Sequence, residues 1–176
     1  MIVVGIIGIL AGIAIPAFTR YVRKSRTAEA AEHLNKMWAG SVTYYMTDKT
    51  VMNGTRALTG AKQFPGSSTS TPASAQFETA DGNLCCKQAG SKCAGYSDVW
   101  KSDEIWLALK FALADPHNYV PGYTSANPGS DAVFTAAALG DLNCNDVWSY
   151  FIRDGSVNPT GDVKGGGQPR IINEME

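Results

Sequence analysis

Cys85, Cys86, Cys93 and Cys144 are the residues of this 176-residue chain whose type and spacing most directly suggest chemistry. The chemistry they suggest is disulfide formation. They are even in number and lie in or near Gly- and Ser-rich sequence; an exported chain would oxidise them, and four cysteines allow three pairings. Adjacent cysteines rarely bond to each other because the geometry is poor. One of Cys85 and Cys86 is therefore expected to reach Cys93 and the other Cys144. The short loop would tie down a surface segment, and the longer one would staple the C-terminal strands to it for roughly 3 to 4 kcal/mol. A zinc site is the rival, but CC-x6-C lacks paired C-x-x-C spacing and His33 and His117 lie far off in the sequence.

Asp141, Asn143 and Asn145, with Asp146, supply the alternating oxygens of a calcium loop. Against that, Asp146 stands where the hand-type loop has glycine and no bidentate glutamate follows. An Asn/Asp turn between two strands accounts for the same residues. Calcium stays as the single candidate cofactor. No nucleophile elbow, phosphate loop or His-rich metal spacing is present, so neither an enzyme nor a small-molecule substrate is expected. Asp103-Glu104 reads as the charge preference of a helix start. Trp100, Trp106, Tyr119, Tyr123, Trp148 and Tyr150 could floor a ligand groove but read as core.

The elements that must position these residues begin with the N-terminus. From Met1 to Phe18 there is no charged and no strongly polar side chain, and as a helix at about 1.5 Å per residue the run spans roughly 27 Å, close to a bilayer core. Gly5, Gly8 and Gly12 recur at the spacing that lets helices approach closely, and read equally as glycines tolerated in a lipid-facing helix. Pro16 removes one backbone bond and clashes with the preceding turn, so a kink or loosening is expected near Ile13 to Pro16. Arg20, Arg23, Lys24 and Arg26 follow directly. On the positive-inside rule alone they would keep the rest of the chain in the cytosol; the cysteines argue for export instead. A net charge of -1 excludes a dedicated nucleic-acid binder, and 44% hydrophobic with 18% charged residues is the composition of one globular domain plus an extension.

Beyond the basic cluster the pattern turns amphipathic. Ala28, Ala31, Leu34, Trp38, Val42 and Tyr45 form one face, with Glu29, Glu32, Asn35 and Lys36 looking away and Glu32 to Lys36 a favourable pair. The spacing predicts one helix from about Ile2 to about Tyr45, roughly 65 Å long. The remaining 125 or so residues make a globule about 35 Å across. Half the helix must therefore protrude, and that half is apolar all round. It needs lipid or other copies of itself.

Asp48 to Ala75, with the run PGSSTSTPAS at Pro65 to Ser74, reads as a long surface loop with room for a short helix or strand near its middle. Lys101 to Ala114 reads as a short helix capped by Ser102 or Asp103 and stopped by Asp115-Pro116, with a buried strand as the rival for Ile105 to Ala114. Three strands are expected at Asn118 to Tyr123, Ala132 to Leu139 and Val147 to Arg153, forming an antiparallel meander that covers the helix around Leu34, Trp38, Val42 and Tyr45. From Asp154 the chain is expected to loop over the surface. The fold class is α+β, a long N-terminal helix on a small antiparallel head sheet.

The run Met1-Ile2-Val3-Val4-Gly5-Ile6-Ile7-Gly8-Ile9-Leu10-Ala11-Gly12-Ile13-Ala14-Ile15-Pro16-Ala17-Phe18 closely resembles the N-terminal segment of type IV pilins and the related pseudopilins. In that family the helix follows a short basic leader and a cleavage site and reads Phe-Thr-Leu-Ile-Glu-Leu before the residue matching Met1, so those features would lie upstream. Without the upstream glutamate, which is thought to register neighbouring subunits, the chain is expected to assemble poorly. The resemblance covers about the first 26 residues; AVFTAAALGDLNCNDVWSYF, from Ala132 to Phe151, is loosely similar to the end of many head domains. It implies a division into residues 1–24, a transmembrane and filament-core half, and residues 25–176, an exported head. Met1, Ile2, Val3, Val4, Ile6, Ile7, Ile9, Leu10, Ile13, Ile15 and Phe18 would form the filament core, with Gly8 and Pro16 at a flexible point. It also implies a homopolymer of identical subunits, a prepilin peptidase, an inner-membrane assembly machine, and residence in the inner membrane before assembly into an extracellular pilus. The alternative within the family is a pseudopilin of a type II secretion system, a class known for calcium near the C-terminus. A secreted enzyme or binding domain behind an ordinary signal peptide is the reading outside it.

Overall fold

The computed structural model describes residues 2–47, 50–53, 56–59, 62–66, 85–95, 97–165 and 167–175. A single helix, α1, runs from Ile2 to Met46, 45 residues without a break. The helix continues through Pro16, which lies inside it. Gly40 does not end the helix either. A Cβ at this position would run into the backbone carbonyl of Leu109. The glycine is there for a close approach of chains.

The head is built on a five-stranded sheet. Its strands are β3 (Val120–Ala126), β4 (Val133–Gly140), β5 (Ser149–Val157), β6 (Val163–Gly165) and β7 (Arg170–Ile172). A separate hairpin pairs β1 (Thr50–Asn53) with β2 (Arg56–Thr59), within the stretch expected to be loop. β3, β4 and β5 form the antiparallel meander, with Tyr123 opposite Ala136 and Ala138 opposite Phe151. The residues after Asp154 do not simply loop. β5 continues to Val157, and β6 and β7 both pair with it, at Gly155–Val157 and at Tyr150–Ile152 respectively. The glycines that argued for loop instead serve the sheet: a Cβ on Gly155 would clash with the Phe134 ring. Residues 67–84, which include most of the Ser/Thr-rich run, lie outside the described residues.

The expected helix at Lys101 to Ala114 is two short ones, α2 (Ser97–Ser102) and α3 (Glu104–Ala108). Asp103 separates them as the cap of the second, its carboxylate accepting from the amides of Ile105 at 2.9 Å and Trp106 at 3.2 Å. α3 stops early because Lys110 takes a left-handed conformation, φ 53°. The Lys110 amide then donates to the Leu107 carbonyl and the Phe111 amide to the Trp106 carbonyl, which is a Schellman closure.

α1 lies across β3, β4 and β5. Its buried stripe is Thr27, Ala30, His33, Leu34, Met37, Ser41 and Tyr45. This is rotated from the expected face: Ala28 is exposed, and Ala31, Trp38 and Val42 are only half-buried. The sheet selects small residues where chains must meet, and hydrophobic periodicity ranks Ala30, Gly40 and Ser41 too low to see that. Full burial of Leu34 and Met37 contributes about 1.5–3 kcal/mol each. Phe64, Phe134 and Tyr123 complete this end of the core, with ring centroids 4.6 Å (Phe64 to Phe134) and 5.7 Å (Tyr123 to Phe134) apart.

Candidate functional site

The largest chemical feature of the molecule is what the head leaves uncovered. Ile2, Val3, Val4, Ile6, Ile7, Ile9, Leu10, Ile13, Ile15 and Phe18 are all more than half exposed, Ile2 reaching 81%. The most apolar stretch of α1, long enough to cross a membrane, has no part buried within the chain. Met1 lies outside the described residues. At Gly5, Gly8 and Gly12 an added Cβ would meet nothing within 4 Å, so no contact inside the chain explains them. Soluble monomers rarely expose a contiguous apolar surface beyond a few hundred Å². Arg20 and Lys24 are exposed and Arg23 and Arg26 half-buried where this surface meets the head.

Behind that junction, polar groups clasp α1 to the head. Glu29, expected to face solvent, turns inward and accepts from the Asn118 amide at 2.6 Å, the Asn118 side-chain amide at 2.6 Å and the Tyr119 amide at 3.2 Å. These are hydrogen bonds to a charged acceptor, worth about 1.5–3 kcal/mol each when partly buried. The sequence signal was the Glu29/His33 spacing, one turn apart on a helix; Asn118 carried none. On the far side of α1, the Arg153 guanidinium stacks 4.4 Å from the Trp38 ring centroid and donates to Asn35 at 2.6 Å. Ser41 and Tyr123 hydroxyls bond at 3.0 Å, and burial raises the Tyr123 phenol above its ordinary pKa.

His33 and His117 sit beside Glu29, their ring centroids 6.3 Å apart. Burial pushes the His33 imidazole down to about 4, with Glu29 opposing and His117 acting in the same direction as burial. Burial also lowers His117, opposed by its bond to the Asp115 carbonyl. Both are neutral near pH 7.

Cys85 is bonded to Cys93 and Cys86 to Cys144. Cys85–Lys87 forms a single 3-10 turn, so the adjacent pair points two ways. His117, distant in sequence, comes within 4.8 Å of the Cys85 and Cys93 sulfurs, brought there by a backbone bridge in which Cys93 and His117 exchange amide-to-carbonyl bonds at 2.8 and 3.0 Å. The sulfurs are joined to each other and offer no thiolate ligand.

The Asp141 loop spends its oxygens on its own backbone. The buried Asp141 carboxylate accepts from the amides of Asn143 (3.2 Å), Cys144 (2.7 Å) and Asp146 (2.9 Å). Asn143 accepts from the Asn145 amide and Asn145 from the Val147 amide, both at 2.9 Å. These are successive Asx turns. Lys87 pairs with Asp146 across the loop. Of the candidate aromatic floor, Trp100, Trp106, Tyr119 and Tyr123 are core, while Trp148 and Tyr150 are half-buried.

These features define a class of architecture, a bare apolar rod fixed by its polar half to a disulfide-stapled α+β head. The chain matches no family model, no curated protein and no solved structure.

Proposed function

We propose that the chain is a filament subunit of the type IV pilin class, which waits in the membrane on its N-terminal helix and then packs that helix among identical copies. The observation that carries the reading is α1 itself: 45 unbroken residues, the most apolar stretch of them with no part buried within the chain. A permanent single-span anchor would account for an apolar surface in lipid. The open bays at Gly5, Gly8 and Gly12 fit the second need as well, since small residues let helices approach closely. The resemblance of Met1 to Phe18 to the pilin segment points the same way. In this reading the chain is processed by a prepilin peptidase, held by an inner-membrane assembly machine, and delivered to an extracellular pilus serving adhesion, motility or a related surface function. The Asp141 oxygens, engaged by backbone amides, favour the pilin over the calcium-bearing pseudopilin.

Mass spectrometry of the mature protein from its native cells tests this. A methylated phenylalanine a few residues before Met1, in material sheared from the cell surface, is the expected result. A mature start beyond Ala14 would overturn the proposal.

A further inference from the structure

The stripe of α1 that the head buries, Thr27, Ala30, Leu34 and Met37, continues toward the apolar run as Lys24, Arg23 and Arg20. These precede Thr27 by three, four and seven residues and so share its face. Charge takes the place of small and apolar residues where the head ends. The head reaches along α1 as far as Arg26, which lines a recess of about 360 Å³ with Ser91, Asn118 and Asp141. One turn further, Arg23 is half-buried, and Arg20 and Lys24 are exposed. Three cations therefore stand just beyond the head on its own side of the helix, with a fourth at its rim.

Among the described residues none of these four side chains makes an ion pair or a hydrogen bond. The carboxylates at this end of the head are already engaged. Asp141 accepts from three backbone amides, Glu29 from Asn118 and Tyr119, and Asp146 takes Lys87. From Phe18, where the apolar run ends, a rise of 1.5 Å per residue puts the four Cα atoms about 3 to 12 Å further along the axis. With that run in a bilayer core, the headgroup layer of one leaflet fills about 5–7.5 Å beyond it. Helical side chains tilt toward the N-terminus. Here that tilt carries the charges back into the headgroup layer, and their long stems can bend further.

We propose that Arg20, Arg23, Lys24 and Arg26 form a binding surface for the phosphates of anionic phospholipids, so that the head stands on lipids selected by their charge. Three of the four are arginine, whose planar fork matches two phosphate oxygens at once, while lysine supplies a point charge. A zwitterionic lipid also presents a phosphate, but its own ammonium offsets the attraction. Four cations with no carboxylate partner therefore favour headgroups of net negative charge. The inference rests on the membrane residence of α1, which is half of the reading above, and is independent of filament assembly; it adds which lipid the chain keeps beside it.

The test reconstitutes the full chain, disulfides intact, into phosphatidylcholine vesicles carrying a trace of spin-labelled phosphatidylglycerol or of spin-labelled phosphatidylcholine. Electron paramagnetic resonance then reads the fraction of each label held at the protein. Phosphatidylglycerol is expected to be preferred about fivefold or more at low salt, and the preference is expected to shrink as salt is raised through the molar range that screens exposed charges. Replacing all four residues (Arg20→Gln, Arg23→Gln, Lys24→Gln, Arg26→Gln) should bring the ratio close to one. Equal retention of the two lipids, a preference indifferent to salt, or one that survives the four substitutions would overturn the proposal. The salt series on the unsubstituted protein stands even if the variant fails to fold. A chain that inserts without preference strikes this proposal alone, whereas one that fails to float with either vesicle strikes membrane residence and this proposal with it.

Discussion

His33 is the residue whose environment departs furthest from what its place in the sequence suggests. It looks like a polar position on a helix, yet it is buried against Phe111 and His117, with ring centroids at 5.9 and 6.3 Å. Its folded-state pKa of about 4 lies below the unfolded value of 6.5. Between those values the unfolded chain binds the extra proton, so stability is fully present above about pH 6.5 and falls as pH drops toward 4. Glu29, Glu32, Lys36, His117 and Asp115 are the charged and titratable groups that face it. A tenfold difference in proton affinity between the folded and unfolded chain is worth about 1.4 kcal/mol, so a loss of a few kcal/mol is expected over that range. Denaturant titrations at a series of pH values check this; His33→Phe should flatten the slope, and an unchanged slope would contradict the account.

At the scale of elements, two contests can be decided by magnitude. Gly40→Ala should gain up to about 1 kcal/mol of helix propensity, but the new Cβ meets the Leu109 carbonyl backbone, which cannot swing aside. Overpacking against backbone costs about 1–3 kcal/mol. The net expectation is a less stable head, read as a lower thermal midpoint by circular dichroism. The two disulfides close loops of different length, with sequence separations of 8 and 58. The chain-entropy relation gives about 2.5 kcal/mol for the shorter loop and about 4 kcal/mol for the longer. Replacing Cys86 and Cys144 with serine should therefore destabilise more than replacing Cys85 and Cys93. The reverse order in chemical denaturation would show that the 3-10 turn at Cys85–Lys87 matters more than loop closure. Helix α1 as a whole was legible from its apolar run and the pattern that follows it. The division of α2 from α3 was less so, because a single side chain, Asp103, both ends one helix and caps the next.

For the whole molecule, the rod and the head carry separate risks. Leu10→Lys places a charge in the middle of the apolar surface, where insertion into lipid costs about 3 kcal/mol, and 62% of that side chain is exposed with no contact to the head. If the filament proposal holds, pili should be lost from sheared cell-surface fractions viewed by electron microscopy, while the near-ultraviolet dichroism of the head aromatics stays unchanged. Normal filaments from this variant would remove the helix-packing account.

The rod was written locally. An uninterrupted apolar run, a basic flank and a three-to-four-residue spacing are one-dimensional signals, and they are enough to specify a long helix whose first half must leave the head. The choice of oxidised cysteines over a C-x-x-C zinc site could also be read from spacing. What only the tertiary structure decided is the seam. Which stripe of α1 is buried, that Glu29 turns inward onto Asn118, that His117 meets His33, and that the glycine-bearing tail adds β6 and β7 all depend on groups far apart in the chain, up to the 118 residues between Asn35 and Arg153. Close packing there rewards small residues and complementary shape, and neither property has a period along the chain.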